Sequence, residues 1–125
     1  MKVNEAIEKL NRLSAEQYDS KDVQGFIEEC DRKLYREIVQ RFKGGEEYGA
    51  YEERYPLEGE DTLIAEDTYA MLYVWYALCQ IYFLNAELER YTNAMIRYNQ
   101  EYEEFKNYYG RTHRALGTVT RFITD

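Results

Sequence analysis

The sequence predicts an all-α protein: a helical bundle of three to four helices, with a long, kinked or broken C-terminal helical stretch and an acidic loop between helices 2 and 3. Apolar residues recur at spacings of three and four in separate segments, as they do on the buried face of a helix. Residues 67–109 contain neither glycine nor proline, whereas residues 44–66 hold four of the seven glycines and the one proline. A length of 125 residues suits a single domain.

Two short apolar stripes predict the first two helices. The first helix covers roughly residues 3–13 and places its apolar residues on one face: Val3, Ala6, Ile7, Leu10 and Leu13. The second begins after Asp19 or Ser20, since either side chain accepts a hydrogen bond from the free amides of the first turn. Its stripe covers residues 23–42, and the Gly44-Gly45 pair ends it. Gly25 costs about 1 kcal/mol relative to alanine, which indicates a close approach of another backbone.

The acidic residues concentrate in the predicted loop. Residues 44–67 hold nine acidic residues against one basic residue, Arg54, an excess that equals the net charge of −8 for the whole chain. Nucleic-acid binding through phosphates needs a stripe of lysine and arginine, so direct, sequence-specific binding of nucleic acid is not expected. The segment is interpreted either as a solvated loop or as a surface that meets a basic patch on a partner or a neighbouring subunit.

A heptad pattern predicts a long third helical stretch. Apolar residues alternate at spacings of four and three from Ala70 through Leu84 and Leu88 to Tyr109. A straight helix over the 43 residues 67–109 would be about 65 Å long, whereas a compact chain of this size is about 35 Å across. We therefore expect a break near Asn85 or Thr92-Asn93, or else a helix that projects into an assembly.

The aromatic half of this stripe and the basic tail are the candidate interface residues. The aromatic residues are expected to pack either inside the chain or between subunits; they are Tyr91, Tyr98, Tyr102, Phe105 and Tyr109. The helical domain is predicted over residues 1–110, and residues 111–125 form a basic tail with Arg111, Arg114 and Arg121. Its strand-like alternation indicates either a segment that extends to a neighbour or a frayed terminus.

The sequence offers no residue set for catalysis, so we do not expect an enzyme. His113 is the one histidine and lies in the polar tail, where no serine or thiol precedes it closely. Cys30 and Cys79 are isolated among apolar residues and are expected to be reduced core thiols. We predict no catalytic, cofactor-binding or metal-binding residue. No membrane span or export signal is expected, which favours a cytoplasmic protein.

Several blocks of the chain resemble a family of small tailed-phage and prophage proteins, the head-to-tail connector adaptors. The resemblance covers roughly residues 3–114 and is most specific in Asp31, Tyr35, Arg36 and Glu37 and in residues 99–112. The blocks that carry it are VNEAIEKLNRL, FIEECDRKLYREIV and NAELERYTNAMIRYNQEYEEFKNYYGRTH. After residue 114 the chain departs from the family pattern with a longer threonine-rich tail.

The resemblance implies a structural role in virion assembly. Proteins of this family form a ring under the portal and connect it to the tail, which implies a homo-oligomer with portal or tail proteins as partners. It implies a location in the bacterial cytoplasm and then in the virion. The acidic composition supports a different hypothesis, an acidic binding protein that mimics DNA and occupies a host nuclease or repressor. A small enzyme that uses His113 is a third.

Overall fold

The computed structural model describes residues 1–14, 16–42 and 48–113. These residues form five α-helices: α1 (Val3–Leu13), α2 (Ser20–Glu37), α3 (Tyr51–Arg54), α4 (Met71–Leu84) and α5 (Leu88–Thr112). Short 3-10 helices follow α2 (Val39–Arg41) and precede α4 (Asp67–Tyr69). No β-strand occurs within the described ranges, so the predicted all-α class is confirmed.

The first helix has the bounds that its apolar stripe predicts. Four of its five stripe residues are buried, and Leu13 at the last position is exposed. The second helix begins as predicted, because the Asp19 carboxylate accepts a hydrogen bond from the backbone N–H of Lys21 at 2.8 Å. Local signals of capping and periodicity therefore fix both helix starts.

The predicted end of the second helix is wrong. α2 ends at Glu37, and the chain continues through the 3-10 turn into extended backbone at Phe42. Ile38 and Val39 stay buried although they lie beyond the helix. The apolar stripe therefore continues across a change of backbone geometry, which the spacing alone does not reveal. The Gly44-Gly45 pair that was expected to end the helix lies outside the described residues.

The expectation for Gly25 is also wrong. A Cβ atom added there would meet no atom of another element within 4 Å, and the residue is exposed on α2. A glycine in an exposed helix interior loses conformational entropy without gaining a contact in return. We therefore expect Gly25→Ala to raise the free energy of unfolding by about 0.5–1 kcal/mol, measured by urea denaturation.

The same change at Gly49 is the matched control for this prediction. Gly49 has φ of 79°, a left-handed conformation that costs an alanine about 1–2 kcal/mol. Gly49→Ala should therefore destabilise the protein while Gly25→Ala stabilises it. Equal effects at the two positions would contradict the assignment of Gly25 as an unstrained, uncrowded helix position.

The described part of the acidic loop is folded onto the first helix. Backbone N–H groups of Val3 and Asn4 donate to the carbonyl oxygens of Asp61 and Gly59 at 3.0 and 2.9 Å, and Leu63 N–H donates to Met1 at 2.8 Å. The loop buries five apolar side chains: Tyr55, Leu57, Leu63, Ile64 and Ala65. The picture of a solvated loop is therefore wrong for residues 48–66, because these apolar side chains enter the core while the acidic side chains of the segment stay exposed.

The long C-terminal stretch breaks at one of the two predicted positions. α4 ends at Leu84 with Asn85 as its C-cap, and Ala86 adopts φ of 58°. Thr92-Asn93, the other predicted position, lies inside α5. A single left-handed residue lets the chain reverse within three positions. α5 then continues through Gly110 to Thr112, two residues past the predicted domain boundary.

The reversal makes α4 and α5 an antiparallel hairpin with aromatic pairs along it. Ring centroids are 5.4 Å apart in Phe83–Tyr91, 5.3 Å in Tyr76–Tyr98 and 5.6 Å in Tyr69–Phe105. Successive pairs are seven residues apart on each arm, with Tyr69 in the 3-10 helix that precedes α4, so the heptad spacing serves contact between the two arms of one chain. α4 also packs against α1 and α2, which explains why apolar residues surround it on every side.

Candidate interaction surfaces

A buried carboxylate at the centre of α2 joins three parts of the fold. Asp31 is 0% exposed, and its Oδ2 accepts hydrogen bonds from Arg54 Nη2 at 2.8 Å and from the Tyr55 hydroxyl at 2.6 Å. Its Oδ1 accepts from the Tyr73 hydroxyl at 2.7 Å and from the backbone N–H of Ile64 at 2.9 Å. Both oxygens are therefore satisfied by protein donors, as a buried charge requires.

The residues around Asp31 form a buried structural network and not an open binding site. Arg54 extends the network by donating to the Thr62 carbonyl oxygen at 2.8 Å. Burial raises the pKa of Tyr55 and Tyr73, and the charge of Asp31 raises both further. Both phenols therefore stay protonated and continue to donate to the carboxylate. The network holds the acidic loop against α2 and α4.

A lysine surrounded by tyrosine rings connects α2 to the hairpin. Lys33 Nζ lies 5.2 Å from the ring centroid of Tyr98, 5.8 Å from that of Tyr102 and 6.0 Å from that of Tyr76, within the range of cation–π attraction. The Tyr102 hydroxyl donates to Glu37 Oε1 at 2.6 Å. Desolvation and this carboxylate raise the pKa of Tyr102. Part of the tyrosine content therefore serves contacts between helices.

A second group of polar aromatic contacts lies at the C-terminal half of α2. Arg36 Nη1 and Arg32 Nη1 donate to the Tyr51 hydroxyl at 2.7 and 3.4 Å. These hydrogen bonds, that from Arg32 first, lower the pKa of Tyr51. Arg32 also pairs with Glu28 at 3.1 Å, one turn earlier. The group fixes the short helix α3 against α2.

The predicted interface rings pack mainly inside the chain. Tyr98, Phe105 and Tyr109 are buried, and Tyr91 and Tyr102 are half-buried. Packing within the chain, one of the two alternatives that the sequence left open, therefore accounts for most of the burial of these rings. The rings of Tyr98, Phe105 and Tyr109 are buried in the folded chain, so a partner protein would not contact them.

The predicted tail residues are only partly described. Arg111 lies in the last turn of α5 and is exposed, whereas Arg114 and Arg121 lie outside the described residues. His113, which the sequence places in the polar tail, is half-buried and stacks on Tyr109 with ring centroids 3.7 Å apart. It caps the end of α5 with an aromatic contact.

Among the described residues, three of the five exposed large apolar side chains lie at the turn between α4 and α5. We call it the apolar turn: Phe83, Leu84 and Leu88, which are 58%, 71% and 65% exposed. Three large apolar side chains within six positions of one turn are unusual on a water-exposed surface and are typical of contact with another protein. Sequence reasoning missed this surface, because it assigned Leu84 and Leu88 to a buried seam.

A groove lies beside the apolar turn, between the start of α2 and the end of α4. Its volume is about 310 Å³. It combines apolar and acidic side chains with one amide, and its lining consists of Tyr18, Asp19, Asp22, Phe26, Ile81, Leu84 and Asn85. Ile81 is buried and the two aspartates are exposed. The groove therefore suits an apolar side chain that lies next to a positive charge.

Within the described residues, neither a metal-binding cluster nor a membrane-spanning helix occurs. In the parts of the chain that the structure covers, no group of three or more histidine, cysteine, aspartate or glutamate side chains is placed to hold a metal ion. No helix of residues 1–14, 16–42 and 48–113 is long and apolar enough to cross a membrane. Both cysteines are buried and unpaired, and desolvation raises the pKa of Cys79 to about 11. No known protein family, curated protein or solved structure significantly matches the chain.

Proposed function

We propose that this chain is a structural subunit of a tailed-phage head-to-tail connector and acts by protein–protein assembly. The resemblance of residues 3–114 to connector adaptors motivates the proposal. The observation that carries it is the apolar turn. Large apolar side chains held in water at the tip of a helix pair are stabilised when a partner covers them.

The hairpin supports this role because the packing of α4 against α5 holds the apolar turn in a fixed position. The paired rings of α4 and α5 lie along the hairpin, and the Asp31 network ties α4 to α2 and to the loop. Rigid presentation lowers the entropy that docking costs, because few side chains have to be ordered on binding. The partner surface that we propose is therefore the tip of the hairpin, whereas the aromatic stripe supports it from inside.

The acidic surface supports a partner with basic residues around its apolar contact. On the side of the groove formed by the start of α2, Asp19 and Asp22 lie next to the apolar turn. Charges at the edge of an interface steer encounter and fix register more than they add affinity. A portal or tail protein that offers apolar residues surrounded by lysine or arginine would fit this arrangement.

A capture experiment with the portal protein of the same phage or prophage tests the proposal. We expect native mass spectrometry to detect the wild-type chain on the portal ring. Leu88→Ser removes an apolar side chain that is 65% exposed, so folding should be retained while portal affinity falls at least about tenfold. Ile96→Ser is the matched control, since Ile96 is 55% exposed on α5 away from the turn and should leave affinity unchanged.

Two outcomes would count against the connector role. A wild-type chain that never associates with the portal would contradict it directly. Capture of a basic host nuclease or repressor that weakens steeply with salt, and that ignores Leu88→Ser, would favour the acidic DNA mimic instead.

A further inference from the structure

The groove beside the apolar turn has the chemistry of a docking site for a short basic and aromatic segment. Phe26 and Ile81 provide apolar walls, and Leu84 extends them to the surface. Asp19 and Asp22 are exposed at the N-terminal turn of α2, next to these walls. A peptide with an arginine directly before a large apolar residue would place both groups against complementary surface.

We propose that this groove binds the C-terminal tail of a second copy of this chain, with Arg121 near Asp22 and Phe122 against the apolar walls. Residues 114–125 lie outside the described residues, and their sequence is RALGTVTRFITD. This segment contains the sequence Arg-Phe-Ile at positions 121–123. Its one cation and two apolar side chains complement the acidic and apolar lining of the groove. Residues 110–125 carry a net positive charge, opposite to that of the groove.

Distance assigns the tail to a second copy. α5 has 25 residues and is about 37 Å long. The groove lies near the N-terminal end of α5, since Leu84 and Asn85 line it. Phe122 is nine residues beyond His113, so even a fully extended chain reaches about 30–32 Å from the opposite end of α5. To occupy its own groove the tail would have to run almost fully extended along α5, whereas the tail of a second copy need not be stretched, so we assign the contact to a second copy.

A contact of this kind is head-to-tail, because the surface that one subunit offers differs from the surface that it uses on its neighbour. Repetition of a head-to-tail contact generates a closed ring when the rotation closes and an open filament when it does not. The inference rests on the proposed assembly role and identifies one of the partners as the chain itself. Portal capture through Leu88 does not require it.

Complementation between two full-length variants tests the contact. Phe122→Ser removes the tail anchor and leaves the groove intact, whereas Asp22→Lys reverses the charge of the groove and leaves the tail intact. By sedimentation and native mass spectrometry, we expect the wild type to self-associate, and each variant alone to do so at least about tenfold more weakly. An equimolar mixture should form heterodimers and stop there, because each heterodimer has one defective end of each kind.

Charge reversal supplies the control for Asp22→Lys. Glu8→Lys makes the same change in net charge on the exposed face of α1 and should leave self-association unchanged. The double variant Asp22→Lys/Arg121→Asp restores opposite charges and should recover association. Thermal melting followed by circular dichroism verifies that each variant is folded.

Several results would overturn the tail contact. They are a wild type that stays monomeric at high concentration, Phe122→Ser association equal to wild type, or a mixture of variants that remains monomeric. In each of these cases, portal capture that still depends on Leu88 would leave the connector role standing. Conversely, a chain that does not bind the portal but still self-associates through the tail contact would contradict the connector role and leave the tail contact standing.

Discussion

Replacement of Asp31 by asparagine is expected to lower the free energy of unfolding by about 3–5 kcal/mol. The wild-type carboxylate is 0% exposed and is paired with Arg54, whose side chain is 10% exposed. Asparagine would leave that guanidinium without its counter-charge, and it would turn an amide donor toward groups that themselves donate. The expected loss is a large fraction of the total stability of a small domain.

Urea denaturation followed by helical circular dichroism measures this effect. Glu8→Gln is the matched control, because the same change from carboxylate to amide at an exposed position in the middle of α1 should alter stability by less than about 0.5 kcal/mol. If Asp31→Asn does not fold, Tyr73→Phe tests the same network more gently. It removes one donor to Asp31 and the acceptor of the Ala65 N–H, and should cost about 1–3 kcal/mol. A loss below 1 kcal/mol for both variants would show that the network does not hold the fold together.

Local signals explain why the helix starts were predictable from the sequence. The bounds of α1 and the N-cap of α2 depend on side chains within one turn of each other. The break after α4 was also within reach, because the helix length exceeds the diameter of a compact chain and Asn85 is a suitable cap. These inferences need no knowledge of distant contacts.

The Asp31 network depends on contacts across the chain, and for that reason it was not predicted. Its donors come from Arg54, Tyr55, Ile64 and Tyr73, which are 23 to 42 positions away. One signal was present in the sequence, since Asp31 lies on the apolar stripe of α2, at helical spacing from buried neighbours. A charged residue on a buried face implies a partner, but the spacing does not identify that partner.

The apolar turn was missed for a related reason. A heptad pattern shows which residues share a face of one continuous helix, and Leu84 and Leu88 fit that pattern. Ala86 reverses the chain between them, so the positions that would have lain at the centre of a straight seam lie at the tip of a hairpin instead. Periodicity therefore located the apolar residues but not the direction in which the fold presents them.

The free energy of unfolding is also expected to fall steeply above about pH 10 because of the buried tyrosines. Desolvation raises the pKa of Tyr55, Tyr73, Tyr76 and Tyr98 in the folded chain. In the unfolded chain a tyrosine releases its proton near pH 10. Above that pH the unfolded state therefore holds fewer protons than the folded state, and stability decreases as pH rises.

The size of this effect follows from the number of protons involved. Each tyrosine that is ionised when unfolded and neutral when folded lowers stability by about 1.4 kcal/mol per pH unit, so four together approach about 5 kcal/mol per pH unit. Below about pH 10 both states are protonated, and the contribution of these tyrosines to stability is fully present. We therefore expect cooperative unfolding within one to two pH units above that point.

Parallel titrations of helical circular dichroism and tyrosinate absorbance measure the transition. The two signals should change together, because the buried phenols ionise only as the helices unfold. Tyr98→Phe keeps the ring and removes one titrating group, so the dependence of stability on pH should become shallower by about 1.4 kcal/mol per pH unit. Full ionisation of the tyrosines near pH 10 with the helices intact would contradict the burial on which the aromatic packing of the hairpin depends.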